Sequence, residues 1–128
     1  MGRGVITGRA LVLTEPLSLW GGMDPASGEL IDAHHPQRGA NLAGRVVIMP
    51  AARGSSSSAS VLAEAVRAGS APAAILVGQP DLIVSIGSAV ANELYGKNVP
   101  VVVLSSEELA AISDGEEIVI AGDRVRRA

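Results

Sequence analysis

The sequence has no cysteine and no phenylalanine, and it has only one tryptophan and one tyrosine. The absence of cysteine excludes a disulfide framework, a catalytic thiol, a thiolate zinc site and a thiolate-bound iron–sulfur cluster within this chain. With so few aromatic side chains, the core must be aliphatic and platforms for stacking nucleic-acid bases are missing. The chain has ten Lys and Arg residues and 13 Asp and Glu residues, which give a net charge of −3. It therefore lacks the excess of positive charge that is typical of a nucleic-acid-binding protein.

Signals for export and for membrane insertion are also missing. Residues 1–6 lack the apolar core of a signal peptide, and Ile6 stands where a myristoylation signal has Ser or Thr. No uncharged apolar run approaches the ~20 residues that span a bilayer. We therefore expect a cytoplasmic protein with no membrane partner and no nucleic-acid partner. The 128 residues fit a single domain, residues 1–128, because domains have roughly 100–200 residues.

Short apolar runs alternate with helical patterns along most of the chain. Branched apolar residues bounded by proline or glycine predict strands at residues 5–14, 45–49, 73–77 and 101–104. A helical period predicts a helix at residues 60–68, and a serine followed by acidic residues predicts a short capped helix at 105–109. Two turn signals predict a β-hairpin over residues 116–125.

Residues 81–95 leave two interpretations open. Residues 90–94 favour a helix that ends at Gly96, whereas residues 83–86 have the branched apolar composition of a strand. Because strands that alternate with helical patterns form βαβ units, the chain is predicted to be an α/β domain with parallel strands. The terminal strands lack helical crossovers and are expected to form an antiparallel part, which makes the sheet mixed.

The stretch Arg53-Gly54-Ser55-Ser56-Ser57-Ser58, which we call the serine segment, links a predicted strand to a predicted helix. A flexible Gly/Ser linker is one interpretation, but the stretch has the length of an ordinary connection between two elements. A single serine that caps the helix is another interpretation. Neither explains four serines together with a glycine.

The functional interpretation of the serine segment is an anion-binding loop. Backbone N–H groups at a helix N-terminus are unpaired, and the helix dipole places roughly half a positive charge there. Hydroxyl groups add donors, and an arginine can hold a carboxylate or phosphate through two parallel hydrogen bonds. The segment is not a P-loop, because no Gly-Lys-Ser/Thr follows at the required spacing. The candidate ligand-binding residues are Arg53, Gly54, Ser56 and Ser57.

A turn-rich loop at residues 17–28 contains Trp20. Its side chain is expected to anchor the loop on the core. The alternative is that Trp20, Gly21, Gly22 and Asp24 form the rim of a ligand pocket. Asp24, which precedes a proline, is first a turn initiator. Residues 30–32 predict a short return strand.

The adjacent histidines His34 and His35 resemble a metal site at first sight. Neighbouring residues on an extended chain point to opposite faces, so such a pair rarely chelates one ion. The sequence has no third histidine and no cysteine. We therefore predict no metal site in this chain and favour packing or hydrogen bonding for both side chains.

Specific motifs are distributed along nearly the whole chain. They are Glu15-Pro16-Leu17-Ser18-Leu19-Trp20-Gly21-Gly22, Asp24-Pro25, His34-His35-Pro36, Ala43-Gly44-Arg45, Leu62-Ala63-Glu64, Glu93-Leu94-Tyr95-Gly96 and Pro100-Val101-Val102. Together with the serine segment, these motifs closely resemble the small subunit of the aconitase X family.

This resemblance implies a swivelling β/β/α domain like the C-terminal domain of aconitase. It also implies a hydro-lyase that acts on a small carboxylate substrate together with a separate large subunit. The large subunit would carry the iron–sulfur cluster or metal ion, so that this chain binds no cofactor. In the family, the first serine after the Arg/Lys-Gly element is the proton acceptor, and that position is Ser55 here. A helix N-terminus and the guanidinium of Arg53 would stabilise its alkoxide.

Two branches of the family differ in this loop. The mevalonate 5-phosphate dehydratase branch resembles Gly-Lys-Gly-Ser-Thr, whereas the cis-3-hydroxy-L-proline dehydratase branch resembles Arg-Gly followed by serines, with His-His-Pro upstream. This sequence matches the second branch, although Ala52 stands where glycine is expected.

Two hypotheses of other classes remain open. One is a stand-alone anion-binding or regulatory module, and the other is a structural partner without a catalytic residue. The dehydratase interpretation differs from the stand-alone module in predicting a stable complex with a large subunit. It also predicts an exposed apolar face on the isolated chain.

Overall fold

Ten secondary-structure elements are formed by the residues that the computed structural model describes, which are 5–51, 58–80, 82–97, 99–122 and 124–127. The strands are β1 (Val5–Val12), β2 (Val46–Met49), β3 (Ala74–Val77), β4 (Val101–Val103), β5 (Glu117–Ala121) and β6 (Arg124–Arg127). The helices are α1 (Leu19–Gly22), α2 (Ser58–Ala68), α3 (Leu82–Tyr95) and α4 (Ser106–Ala110).

These strands form one mixed sheet in the order β4-β3-β2-β1-β5-β6. The first four strands are parallel, and Ile48 of β2 pairs with Val12 of β1 and with Leu76 of β3. β5 is antiparallel to both β1 and β6. Helices α2 and α3 make the crossovers that parallel neighbours require. The predicted α/β domain with a mixed sheet is confirmed.

β1 differs from the sequence prediction in its partners. We expected it in the antiparallel part, but it also pairs in parallel with β2. The crossover between them, residues 13–45, has α1 as its only named helix within the described residues. The side-chain amide of Gln37 closes the end of β1, because it donates to the carbonyl of Val12 at 2.8 Å and accepts from the N–H of Thr14 at 2.8 Å. An irregular crossover is tolerated because its backbone groups are paired.

Three further local predictions are decided by the structure. The one-turn helix α1 lies inside the predicted loop 17–28, which buried Leu17 and Leu19 anchor to the core. Residues 30–32 form no return strand, and the chain around them has only the isolated bridges Met23–Leu30 and Glu29–Asn41. For residues 81–95 the helical interpretation is confirmed by α3, and the strand interpretation of residues 83–86 is wrong.

The buried apolar residues form two clusters, one on each side of the parallel strands. The first packs the sheet against α2, α3 and the crossover, and includes Leu13, Leu19, Met49, Leu62 and Ala91. The second joins the parallel and antiparallel parts, and includes Ala10, Ile48, Leu76, Ile118 and Ile120. The largest fully buried side chains in the described part of the chain are Leu, Ile and Met, so the predicted aliphatic core is confirmed.

The sheet is curled. Leu104, directly after β4, lines the same cavity as Ile118 of β5 and Val125 of β6. Strands are spaced about 4.8 Å apart, so a flat sheet would separate β4 from β5 by about 19 Å. The antiparallel part therefore folds towards the parallel part and makes a second β layer opposite α2 and α3. None of the helices in the described ranges is long and apolar enough to cross a bilayer.

Candidate active site

The serine segment connects the end of β2 to the start of α2. Met49 ends β2, and α2 begins at Ser58, two residues before the predicted start. The strand predicted before the serine segment and the helix predicted after it are confirmed. Outside the described residues lie Arg53, Gly54, Ser55, Ser56 and Ser57, so their roles stay predictions.

The N-terminus of α2 lies at the carboxyl edge of the parallel strands. Ligands of open α/β sheets bind outside this edge. The first turn of α2 has no acidic residue, so the positive end of the helix dipole is not offset within the turn itself. The described part of the junction is therefore suited to a bound anion.

Gly78 positions the chain that enters the serine segment. It directly follows β3, and its N–H donates to the carbonyl of Pro50 at 3.0 Å. A Cβ at position 78 would lie only 2.7 Å from that carbonyl oxygen. Only glycine therefore lets the end of β3 approach the end of β2 this closely.

Gly87 positions the chain that leaves the serine segment. A Cβ at position 87 of α3 would lie 2.9 Å from the Cα of Ala59 and 3.0 Å from its carbonyl oxygen. Ala59 is the second residue of α2, so α3 packs directly against the helix start. Neither glycine was predicted to have this role. A glycine directly after an apolar strand, and another inside a helical pattern, were the available signals.

A cavity of about 240 Å³ opens beside Pro50, at the end of β2. Its walls come from the ends of β1 and β2 and from α4, and include Val12, Ile48, Pro50, Ser106 and Leu109. Of the side chains that line it, Ser106 alone has a hydroxyl group. The cavity gives the candidate site one apolar wall, on the side of the sheet opposite α2.

The short helix α4 closes this wall and carries acidic side chains. Its predicted cap is confirmed, because the hydroxyl of Ser105 accepts from the N–H of Glu108 at 3.1 Å, and the N–H of Ser105 donates to the carboxylate of Glu108 at 2.9 Å. These hydrogen bonds to Ser105 lower the pKa of Glu108 from its ordinary value. The carboxylate of Glu108 thus forms its hydrogen bond within the cap of its own helix.

The predicted rim residues belong to two neighbouring local structures, and their role at a pocket rim stays a prediction. Trp20, Gly21 and Gly22 belong to α1, which packs against α2. Asp24 forms a turn, as its carboxylate accepts from the N–H of Ala26 at 2.9 Å. The next residue, Pro25, accepts from the hydroxyl of Ser70 at 2.5 Å, beyond the C-terminus of α2.

The turn of Asp24 therefore lies beside the C-terminal end of α2. The helix has 11 residues. At a rise of about 1.5 Å per residue it separates its two ends by about 16 Å. The turn role of Asp24 is confirmed, and the structure does not bring its carboxylate to the helix start.

His35 has the hydrogen-bonding role that the sequence favoured. Its ring is buried, with 5% of the residue exposed. Nδ1 accepts from the N–H of Gln37 at 3.1 Å, so Nε2 carries the hydrogen and donates to the carbonyl of Glu15 at 3.1 Å. His35 thus holds the chain at the end of β1. His34 is exposed, and the described residues contain no group of three or more His, Asp or Glu that could hold a metal ion.

Comparisons with known proteins agree with this geometry. The family model of the aconitase X swivel domain matches residues 1–126. A solved structure, aconitase X of Thermococcus kodakaraensis in its holo form, is similar with a TM-score of 0.84 and 27% identity, covering 98% of this chain and 91% of that chain. These matches confirm the fold that the resemblance implied.

Two curated relatives differ in how much of their length this chain matches. A cis-3-hydroxy-L-proline dehydratase of Pseudomonas aeruginosa is 46% identical over 110 residues, which are 84% of this chain and 19% of that protein. A phosphomevalonate dehydratase small subunit of Methanothermobacter thermautotrophicus is 34% identical over 122 residues, which are 94% of this chain and 88% of that protein. The chain thus spans about a fifth of the first relative and most of the second.

Proposed function

Because the chain belongs to the aconitase X family, as its swivel domain, we propose that it is the small subunit of a two-subunit hydro-lyase of the cytoplasm. It is active only together with a large subunit. The match to a separate small subunit of similar length supports this arrangement. So does the match to a protein in which the same domain is one-fifth of a longer chain.

The observation that carries the proposal is the junction between β2 and α2. Pro50 and Ala59, which flank the serine segment, are held at the carboxyl edge of the sheet by close backbone packing at Gly78 and Gly87. In the proposed site, Ser55 is the proton acceptor. Arg53, Gly54, Ser56 and Ser57 bind the carboxylate of a small substrate through the guanidinium, backbone N–H groups and hydroxyls.

The reaction removes water from a hydroxy acid. Ser55 takes the proton from the carbon that bears the carboxylate, and the C–H electron pair forms a C=C bond with the neighbouring carbon. The hydroxyl group leaves that neighbouring carbon and takes up a proton to become water. The negative charge that develops on the reacting carbon is stabilised because the neighbouring carboxylate is held by hydrogen-bond donors. A positioned base raises the reaction rate by about 10²–10⁴-fold.

No cofactor is assigned to this chain. It has no cysteine, and the described part of the chain supplies no cluster of three metal ligands, so that part does not fit an iron–sulfur cluster or a metal ion. We place such a group in the large subunit, where it would polarise the leaving hydroxyl. We propose that the rim of the site includes Trp20, Gly21 and Gly22. Asp24 is assigned only its role in the turn.

Two substrates are considered. Cis-3-hydroxy-L-proline is favoured by the Arg53-Gly54 start of the serine segment and by the 46% identity to a dehydratase of that name. Mevalonate 5-phosphate is the second candidate, on the 34% identity to a phosphomevalonate dehydratase small subunit. Both substrates present a carboxylate to the proposed anion-binding loop.

The test is reconstitution with the cognate large subunit and assay of water loss from both substrates. Ser55→Ala is expected to lower turnover by about 10²–10⁴-fold, because the base is lost, while the variant folds normally. Ser60→Ala, an exposed serine of α2 outside the serine segment, is the matched control and should retain activity. Near-wild-type turnover by Ser55→Ala contradicts the catalytic role. A wild-type chain that never joins the large subunit contradicts the whole proposal and favours the stand-alone module.

A further inference from the structure

The outward face of α3 carries an apolar stripe. Ile86, Val90 and Leu94, which we call the α3 stripe, are 47%, 41% and 63% exposed. They are spaced four residues apart, so they lie along one face of the helix. The exposed apolar face that the dehydratase interpretation predicted is therefore present on α3.

The opposite face of the same helix is also apolar and is already used. Gly87 and Ala91 are buried, and the hydroxyl of Ser88 donates to the carbonyl of Val99. Among the 14 residues of α3, Glu93 alone is charged. A helix on a protein surface normally presents charged residues to solvent, and one that is apolar all round is buried. The composition of α3 thus matches a helix that is covered on both faces.

We propose that the α3 stripe is the docking surface for the large subunit, an inference that rests on the proposed function. The size of the missing partner supports this occupant. The matched region is 19% of the Pseudomonas aeruginosa dehydratase, so more than four-fifths of that protein lies outside it. A separate small subunit must hold a body of that size without a covalent link, and apolar surface in the centre of an interface supplies most of the affinity.

The position of the α3 stripe also favours the large subunit. Gly87, next to Ile86 of the stripe, packs on Ala59, which follows the serine segment by one residue. The N-terminal half of α3 therefore lies beside the proposed active site. A partner that covers the start of α2 would therefore lie close to Ile86, at the N-terminal end of the α3 stripe.

The charge of α3 argues against a lipid surface. Helices that lie on membranes carry Lys and Arg on their polar face, which attract anionic lipids. α3 has neither residue between Leu82 and Tyr95. A protein partner with an apolar groove or face fits this helix better.

The experiment measures binding of the purified chain to its cognate large subunit. The variant Val90→Glu/Leu94→Glu places two charges in the α3 stripe. We expect its dissociation constant to rise by about 30-fold or more, because buried anchor residues dominate interfaces. Val5→Glu is the matched control, since Val5 is 64% exposed but lies at the start of β1, at the opposite edge of the parallel strands from the proposed site, and it should bind like the wild type. At saturating concentration the double variant should regain wild-type turnover, because the serine segment is intact.

The outcomes separate the two proposals. Equal binding by the wild type and the double variant overturns the docking surface and leaves the proposed function standing. A wild-type chain that does not bind the large subunit overturns both. A wild-type dimer that the double variant converts to monomers assigns the α3 stripe to a second copy of the chain, and overturns docking of the large subunit there. Circular dichroism and thermal unfolding of each variant exclude misfolding as the cause.

Discussion

α2 and α3 follow successive parallel strands and pack against each other, yet their outward faces differ. α2 buries Leu62 and Val66 and turns the ion pair Glu64–Arg67 towards solvent. α3 buries small residues and turns the α3 stripe outward. The pattern of α2 is completed within this chain, because its apolar side meets the core and its charged side meets water. The pattern of α3 is completed only by a second partner.

The largest expected effect compares the same substitution on the two helices. Leu62→Ala should lower the free energy of unfolding of the isolated chain by about 2–5 kcal/mol, because it leaves a cavity under α2. Leu94→Ala should change it by less than about 0.5 kcal/mol, because that side chain is exposed. Urea unfolding of both variants is the measurement. A large loss in Leu94→Ala would mean that the α3 stripe already packs within the chain.

The next effect concerns the contact between the two helices. Gly87→Ala places a methyl group against the backbone of Ala59 and should destabilise the chain by about 1–3 kcal/mol, despite the better helix propensity of alanine. Ala89→Gly, at an exposed position of the same helix, measures the propensity term alone, about 1 kcal/mol. Thermal unfolding compares the two. If Gly87→Ala is more stable than the wild type, α2 and α3 can move apart to accommodate the methyl group without a loss of stability.

A smaller effect tests how α3 is held on its inner face. Ser88→Ala removes the hydrogen bond to the carbonyl of Val99 and should cost about 1 kcal/mol of unfolding free energy. Ser60→Ala on the exposed side of α2 should stay within about 0.5 kcal/mol of the wild type. Chemical unfolding at one temperature distinguishes them, and equal stability of both variants would remove the proposed anchoring role of Ser88.

The smallest effect is the pH dependence of the charged face of α2. The side-chain hydrogen bond from Arg67 lowers the pKa of Glu64 below its ordinary value of 4.5. The stabilisation by this pair is therefore complete above pH 4.5 and is lost as the pH falls through the lower pKa of the folded state. The difference in melting temperature between the wild type and Glu64→Gln should be slight at neutral pH and should vanish in acid. A difference that grows as the pH falls would contradict the pairing.

The apolar character of α3 also explains why its sequence was ambiguous. Ile86 was assigned to a possible strand, because residues 83–86 have a branched apolar composition and no charged residue marks a helical face there. α2 was predicted without ambiguity, because Glu64 and Arg67 interrupt its apolar positions at helical spacing. A helix that packs against the core on one face and against a second protein on the other therefore lacks the amphipathic pattern from which helices are predicted.

Contacts between distant residues were the other source of error. The N–H of Leu13 donates to the carbonyl of Ile48 across a gap of 35 residues, so no local pattern could place β1 beside β2 in parallel. Asp24 was grouped with Trp20 by nearness in sequence, but the hydrogen bond from Ser70 to Pro25 places its turn beside the C-terminal end of α2. Gly78 and Gly87 were passed over because their neighbours, Pro50 and Ala59, come from other elements.

The sequence by itself determined the strands β1 to β5, helix α2, the aliphatic core, the cap of α4 and the place of the serine segment between β2 and α2. These features depend on hydrophobic period, residue size and capping, which act over a few neighbouring residues. Only the tertiary structure decided the pairing of β1, the close packing at Gly78 and Gly87, and the exposure of the α3 stripe. Each of these depends on which surfaces meet after the chain has folded, and that is set by burial and steric fit between remote segments.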